Sequence, residues 1–300
     1  MAQSPWSVAV VGPGGVGGLV GAVLTRAGHP VVFVARPDTA AGLTAGGLAV
    51  TSVQYGDFHV PATAVPRLAS PVDVCVVAAK ATALDAALDR VPAEALGAGL
   101  VLPLLNGVDH MAALRARFPA AQVLAGAIRV ESTRVATGSI AHTSPFCAID
   151  IAGDATPRVR LETLAAQLSA AGLDTSVRDR EAALLWDKLA FLAPLALLTT
   201  AYRATAGEVR ERRRPDLEAV AGEVVAVARA AGATVDGDAV VGLFDRVPAG
   251  MRSSMQRDVE AGRPAEVDAI GGAVLRAAAR HGLDVPVTRE LVERLRARGA

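Results

Sequence analysis

The chain has 300 residues, of which 52% are hydrophobic, and its 30 basic residues are balanced by 30 acidic ones. A length of this order fits one large domain or two medium ones. Because the formal net charge is zero, no overall field favours nucleic acid or an anionic membrane as a partner. The composition agrees with a soluble enzyme and indicates little beyond that.

The first informative segment is a glycine-rich turn between two apolar runs. Residues 8–11 are apolar, a helix-length apolar segment follows the turn, and residues 31–35 form a second apolar run. This order of strand, turn, helix and strand is typical of the dinucleotide-binding unit of a Rossmann domain. The turn residues that we predict to bind the cofactor are Gly12, Gly14, Gly15, Val16 and Gly17.

The turn and the end of the second strand together predict the cofactor. Gly12 permits the tight turn, Gly14 lets the backbone approach a pyrophosphate, and Gly17 lets the helix pack close to the sheet. The second strand is followed by Arg36, where an NAD site usually has Asp or Glu. Since a guanidinium binds a 2′-phosphate that a carboxylate would repel, we predict NADPH rather than NADH. The alternative is a glycine-rich turn beside a solvated arginine.

Two further apolar runs end in polar residues. Residues 72–79 precede Lys80, and residues 100–105 precede Asn106 and Gly107. In an open parallel sheet, ligands bind beyond the carboxyl ends of the strands. Lys80 alone could be a solvated charge, and Asn-Gly is a common turn pair. Both residues lie at the same edge as the glycine turn, where a ligand is expected, and this favours a function for each.

The remaining sequence features exclude other classes of site. Cys75 and Cys147 both lie in apolar, strand-like runs and are expected to be buried, reduced thiols of a cytoplasmic protein. The five histidines share no metal-ligand spacing, so we predict no metal site. No export signal is evident, and the basic cluster at residues 210–214 is interpreted as a solvated helix junction.

The pattern changes near residue 180. Before it, strands alternate with short helices; after it, apolar residues recur with helical spacing. We therefore predict an α/β chain with a doubly wound Rossmann sheet at residues 1–180 and an all-α catalytic domain at residues 181–300. The predicted helices cover residues 181–202, 215–231, 266–281 and 288–298.

Two charged residues in the helical half are candidate catalytic groups. Lys188 begins an apolar helical run, where desolvation would lower the pKa of its ammonium group toward neutrality and so suit a proton donor. Its alternative is an ordinary lysine that extends to solvent beside Asp187. Glu266 follows Pro264 in the predicted first turn of a helix, where a carboxylate also complements the helix dipole without any function.

These residues together resemble a known family. The resemblance covers nearly the whole chain, and its most specific part is the string SSMxxDxxxGRxxExD in the helical half. It is carried by the glycine turn, Arg36, Lys80, Asn106, Gly107, Trp186, Lys188, Leu189, Ser253, Ser254, Met255, Asp258, Gly262, Arg263, Glu266 and Asp268. The chain resembles the ketopantoate reductases, also called 2-dehydropantoate 2-reductases.

The resemblance implies hydride transfer from NADPH to the keto carbon of a 2-oxo acid, with 2-dehydropantoate, the precursor of pantoate in pantothenate biosynthesis, as the expected substrate. By that similarity Lys188 would protonate the developing alkoxide and Glu266 would hold the substrate hydroxyl and orient Lys188. Ser254 would bind the substrate carboxylate, and Asn106 and Lys80 would lie at the junction of substrate and nicotinamide, where both would contact the cofactor.

The chain departs from the family pattern at four positions. Leu192, Ala196, Ala206 and Met251 stand where the family usually has Asn. A pocket that loses hydrogen-bond partners discriminates against hydroxylated substrates, so a more apolar 2-oxo acid or ketone is one alternative. A non-catalytic NADPH-binding sensor is another, since fold alone does not fix function. A homodimer is compatible with an apolar helical domain.

Overall fold

The computed structural model describes residues 5–299. They form two compact units, the first made of residues 5–105 and 110–181 and the second of residues 106–109 and 182–299. The second unit therefore includes a short segment from the middle of the chain, which a division at residue 180 does not foresee. Each unit has its own hydrophobic core.

The first unit contains the strands among the described residues. They are β1 (Val8–Val11), β2 (Val31–Val34), β3 (Leu48–Ser52), β4 (Phe58–Val60), β5 (Thr63–Val65), β6 (Val74–Val77), β7 (Leu100–Pro103), β8 (Ala125–Arg129), β9 (Ser132–Ala136), β10 (Ser139–His142), β11 (Ala148–Ala152) and β12 (Asp174–Val177). Its helices are α1 (Gly15–Arg26), α2 (Pro37–Gly46), α3 (Leu84–Leu88), α4 (Ala93–Leu96), α5 (His110–Arg115) and α6 (Arg158–Ala170).

The main sheet is parallel and has the strand order β5-β2-β1-β6-β7. All four residues of β1, of β6 and of β7 are buried, as expected for apolar strands of a parallel sheet covered on both faces. Strands β2 and β5 lie on one side of β1, and β6 and β7 lie on the other. The carboxyl ends of β2, β1, β6 and β7 follow one another along one edge. This confirms the predicted Rossmann-type sheet, although β6 and β7 end two residues before their apolar runs do.

Two smaller sheets complete the first unit. One has the order β4-β3-β10-β9 and the other has the order β12-β11-β8. Within them, β3 and β10 pair in parallel, as do β11 and β12, whereas β8 pairs with β11 in the antiparallel sense. The last three strands of the unit, β10, β11 and β12, therefore belong to these two sheets and lie outside the five-stranded one.

The helical part of the chain is all α. Its helices are α7 (Glu181–Tyr202), α8 (Ala206–Arg212), α9 (Arg214–Ala230), α10 (Gly237–Arg246), α11 (Ser254–Glu260), α12 (Ala273–His281) and α13 (Pro286–Ala297). A single π-helical turn, Asp268–Gly272, precedes α12. This confirms the predicted helical region, but α8, α10 and α11 were not predicted. Of these, α8 and α11 have only seven residues each and carry little apolar periodicity.

The longest helix, α7, is the centre of the second core. By length and composition it could cross a membrane, but 67% of its most apolar 18-residue window is buried inside the protein. The core helix of a soluble protein passes the same test. Small and aliphatic side chains from α8, α9, α12 and α13 pack in the same hydrophobic cluster as those of α7.

Candidate active site

The glycine turn has the geometry that its residue types predicted. Gly12 follows β1 directly and has a φ of +83°, and a Cβ atom built on it would lie 2.8 Å from the backbone nitrogen of Ala79. A Cβ atom on Gly17 would lie 2.3 Å from the carbonyl oxygen of Gly12. Neither position has room for a side chain, so these two glycines are required by the packing of the protein itself.

Gly14 differs from Gly12 and Gly17 because there is free space where its Cβ atom would lie. The nearest atom to a Cβ built there is 4.0 Å away, and its amide donates to the carbonyl of Gly12 at 2.7 Å. Gly14 is also the N-cap of α1, and no side chain caps the amides of the first turn. The turn thus leaves space and uncapped N–H groups at a helix N-terminus, which fits a pyrophosphate.

Two basic side chains follow the neighbouring strands. Arg36 is exposed, lies two residues after β2, and is the N-cap of α2. Lys80 is exposed as well, three residues after β6 and just before the 3₁₀ turn Ala81–Ala83. Since β2, β1 and β6 are adjacent, Arg36 and Lys80 flank the glycine turn along the carboxyl edge of the sheet.

The second unit brings three of the predicted site residues into one hydrogen-bonded chain. Lys188 Nζ donates to Asn106 Oδ1 at 3.0 Å, and Asn106 Nδ2 donates to Glu266 Oε2 at 3.0 Å. Lys188 is on α7, Asn106 is in the segment 106–109, and Glu266 lies just before the π turn. The amide of Asn106 thus joins an ammonium group to a carboxylate.

The hydrogen-bonded chain of Lys188, Asn106 and Glu266 is partly shielded from water. Glu266 is 8% exposed, and Asn106 and Lys188 are half-buried. Hydrogen bonds between charged and polar groups are stronger away from water, and each bond in such a chain polarises the next. The arrangement can hold a lysine ammonium in a fixed direction and stabilise it electrostatically. Such a group can donate a proton to an oxygen that gains negative charge.

Glu266 lies one residue before the start of the helix and not in its first turn. It was expected in the first turn of a helix, but helical structure begins at Val267, and the Glu266 carbonyl accepts from the amide of Ile270 at 3.0 Å. Glu266 therefore precedes the helix, and its carboxylate bonds to Asn106. The interpretation of Glu266 as a simple complement to the helix dipole does not describe this contact.

Ser254 is the exposed first residue of α11, and the residue before it, Ser253, is buried and caps the helix. Ser253 Oγ accepts from the amide of Gln256 at 3.1 Å and lies 2.9 Å from Thr199 Oγ1. Thr199 Oγ1 donates to the carbonyl of Leu195 at 2.7 Å, so Ser253 is the donor to Thr199. This pair fastens the start of α11 to the face of α7 that carries Lys188.

The four apolar replacements are not equivalent. Ala196 and Ala206 are fully buried, whereas Leu192 and Met251 are half-buried and pack against the hydrophobic core of the unit. Leu192 is one turn after Lys188 on the same face of α7. An apolar side chain therefore stands beside the candidate proton donor.

The two cysteines are shielded. Cys75 lies within β6, and burial raises the pKa of its thiol to about 12. Cys147 precedes β11, and burial raises its thiol pKa to about 11. Since thiolates are the reactive form, neither thiol is suited to catalysis. Within residues 5–299, no cluster of three or more His, Cys, Asp or Glu side chains could hold a metal ion.

Comparisons with known proteins give consistent matches over the chain. The family model described as "Ketopantoate reductase PanE/ApbA" matches residues 8–151, and its C-terminal counterpart matches residues 182–299. The chain is 32% identical over 302 residues to the 2-dehydropantoate 2-reductase of Mycobacterium tuberculosis, covering 97% of both chains. It is 30% identical over 287 residues to the uncharacterized oxidoreductase YkpB of Bacillus subtilis, covering 93% of this chain and 94% of that one.

Solved structures match over the same length. The 2-dehydropantoate 2-reductase of Geobacter metallireducens superposes with a TM-score of 0.87 at 28% identity, covering 97% of this chain and 99% of that one. A D-mandelate dehydrogenase solved with NADH and anilino(oxo)acetate superposes with a TM-score of 0.88 at 20% identity, covering 97% of each chain. At that identity the likeness concerns the fold alone.

Proposed function

The chain belongs to the ketopantoate reductase family and is an oxidoreductase, and we propose that it reduces a 2-oxo acid to a 2-hydroxy acid with NADPH, with 2-dehydropantoate as the preferred substrate. The observation that carries this proposal is the hydrogen-bonded chain of Lys188, Asn106 and Glu266. It supplies the proton that reduction of a carbonyl requires.

The residues of the first unit fit a dinucleotide. The open side of Gly14 and the uncapped amides at the start of α1 would hold the pyrophosphate, and Arg36 would bind the 2′-phosphate of NADPH. Lys80 would contribute a second positive charge near the cofactor. When bound, the reduced nicotinamide supplies the hydride that is added to the carbonyl carbon.

Lys188 stabilises the negative charge that grows on the substrate oxygen and then protonates it. Asn106 fixes the direction of the Lys188 ammonium, and the carboxylate of Glu266 holds the amide of Asn106 in the orientation that accepts from lysine. Glu266 and Asn106 also have the hydrogen-bonding capacity to hold polar groups of the substrate. Ser254, exposed at the start of α11, would bind the substrate carboxylate.

One observation favours a second candidate substrate. Leu192 is half-buried one turn after Lys188, and Met251 is half-buried ahead of α11. Apolar side chains at these positions suit a substrate with an apolar tail in place of a hydroxylated one. The alternative is therefore a more apolar 2-oxo acid or ketone reduced by the same proton donor.

The experiment is NADPH oxidation followed at 340 nm, with 2-dehydropantoate and a panel of apolar 2-oxo acids and ketones assayed in parallel. We expect saturable turnover of 2-dehydropantoate, with KM in the ordinary range of about 1 μM to 1 mM. Turnover of the apolar compounds alone would reassign the substrate and retain the mechanism. Tight binding of NADPH without turnover of any compound would contradict the proposed function and favour a sensor.

Two further predictions accompany this function. The protein is expected to be cytoplasmic, since the reaction and the reduced, buried cysteines suit that compartment. It is also expected to form a homodimer; a ketopantoate reductase of Staphylococcus aureus with the same fold is described as dimeric. Sedimentation velocity of the purified protein measures the second expectation directly.

A further inference from the structure

The segment that carries Asn106 is seated tightly on the second unit. Gly107 has a φ of +84°, and a Cβ atom built on it would lie 2.1 Å from the carbonyl oxygen of Ala269. No side chain fits between these two stretches of backbone. The position of the Asn106 amide is therefore set by how this segment is held against the stretch that follows Glu266.

Arg276 on α12 joins these two stretches. Its Nε and Nη2 donate to Asp109 Oδ2 at 3.0 and 2.7 Å. Its Nη1 donates to Asp268 Oδ1 at 3.0 Å, and Nη2 also reaches the Asp268 carbonyl at 2.9 Å. Asp109 comes three residues after Asn106, and Asp268 comes two residues after Glu266. One guanidinium group thus braces the two segments that carry the ends of the Asn106–Glu266 hydrogen bond.

The charges around this brace are compensated. Arg296 on α13 donates to Asp268 Oδ1 at 2.6 Å, so Asp268 accepts from two guanidinium groups. Hydrogen bonding to Arg276 and Arg296 lowers the pKa of Asp268, and its carboxylate remains charged at neutral pH. A planar guanidinium presents its N–H donors in a rigid fork, whereas a lysine ammonium is a compact charge on a flexible stem.

The brace is partly exposed to solvent. The side chains of Arg276 and Asp109 are 42% and 38% exposed, and exposed ion pairs typically contribute less than about 1 kcal/mol to folding. Its removal should therefore leave the fold intact. Its effect should appear where the exact placement of a nearby group matters more than stability.

We propose that Arg276 is a positioning residue of the active site, which sets the spacing between Asn106 and Glu266 and, through Asn106, the direction of the Lys188 ammonium. This inference rests on the proposed function for its kinetic consequence. The brace itself is a property of the second unit, so it can also be tested without substrate.

The kinetic test compares R276Q with R289Q, which removes an exposed arginine paired with Asp284 on the surface. R276Q is expected to lower kcat by about 10- to 100-fold, because small misplacements of reacting groups are costly. The KM for NADPH and the melting temperature should change little, and R289Q should match the wild type in all three. An R276Q enzyme with the wild-type kcat contradicts the inference.

A double-mutant cycle identifies the route of the effect. If Arg276 acts through Asn106, then R276Q should lower kcat in the wild type and have little further effect in an N106A background. An equal loss of kcat in both backgrounds would show that Arg276 does not act through Asn106 and would overturn the proposal.

A substrate-independent measurement separates this inference from the proposed function. Hydrogen exchange of the peptide that spans residues 106–109 should be faster in R276Q than in the wild type and in R289Q, because local opening becomes easier without the brace. Unchanged exchange would reject the brace even if the enzyme is active. Faster exchange in a protein that turns over no 2-oxo acid would retain the brace and reject the function.

Discussion

The glycine turn of the first unit is formed by backbone, whereas the hydrogen-bonded chain of Lys188, Asn106 and Glu266 in the second unit is formed by side chains. The turn uses backbone: Gly12 and Gly17 are in their places because no Cβ fits there. The hydrogen-bonded chain of Lys188, Asn106 and Glu266 uses side chains from three distant segments, with sequence separations of 82 from Lys188 to Asn106 and 160 from Asn106 to Glu266. A backbone site depends on local packing, whereas a side-chain site depends on every contact that fixes its segments.

The largest effect is expected in the side-chain site. Lys188→Ala removes the proton donor and should lower kcat by about 10²- to 10⁴-fold, the usual contribution of a general acid. The dissociation constant for NADPH, measured by fluorescence titration, should stay near the wild-type value. A near-normal kcat in K188A would remove Lys188 from the proposed role.

A smaller effect is expected for Arg36, one of the two basic side chains of the proposed cofactor site. Arg36→Ala should raise the KM for NADPH by roughly 10- to 100-fold, since a hydrogen bond to a charged group contributes about 1.5–3 kcal/mol. The KM for NADH and the saturated kcat should change little. Steady-state kinetics with both cofactors measure the ratio, and an unchanged ratio would refute the assignment of NADPH.

Two glycine variants distinguish a glycine that the fold requires, Gly17, from one that we expect only cofactor binding to require, Gly14. Gly17→Ala places a Cβ 2.3 Å from the Gly12 carbonyl oxygen and should destabilise the protein by about 1–3 kcal/mol, the range for overpacking. Gly14→Ala has room in the protein and should melt close to the wild type, yet bind NADPH more weakly. Thermal melts and cofactor titrations of both variants test this. Equal destabilisation by the two would contradict the backbone account.

The smallest expected effect is on the stability of the protein at acidic pH. Because the pKa of Asp268 is lowered in the folded protein, its pairing stabilises the fold above the ordinary aspartate pKa, and this contribution is lost as pH falls through the lowered value. The side chain is 66% exposed, so less than about 1 kcal/mol is at stake. Melting temperatures between pH 7 and pH 3 should fall less steeply for D268N than for the wild type. The surface variant D284N serves as the control.

The same contrast explains what the sequence could predict. The glycine turn, Arg36 and the buried strands form a local pattern within about 30 residues, so spacing alone indicated the Rossmann sheet. Asn106 was predicted from the strand-end rule, but the rule could not show that its segment packs with the helical residues. Apolar periodicity tells which face of a helix is buried, and it does not reveal polar partners at long sequence separation.

The contacts that the sequence did not predict are those that hold functional residues in place. Arg276 and Asp109 appear in the sequence as ordinary charges among many, and the hydroxyl pair of Ser253 and Thr199 joins positions 54 residues apart. Their significance comes only from contacts. The short helices α8 and α11 were missed for a related reason, since serine and threonine N-caps start both of them but few apolar residues follow.

The shielding of both native thiols makes the protein a convenient host for site-specific labelling. Cys75 and Cys147 are the two cysteines of the chain, and both are buried with raised thiol pKa values. A maleimide dye should therefore not label the folded wild-type protein. A cysteine introduced at an exposed position such as Val135, which is 68% exposed on β9, would be the single attachment point for a fluorophore. Fluorescence anisotropy or energy transfer could then follow cofactor binding without any removal of native residues.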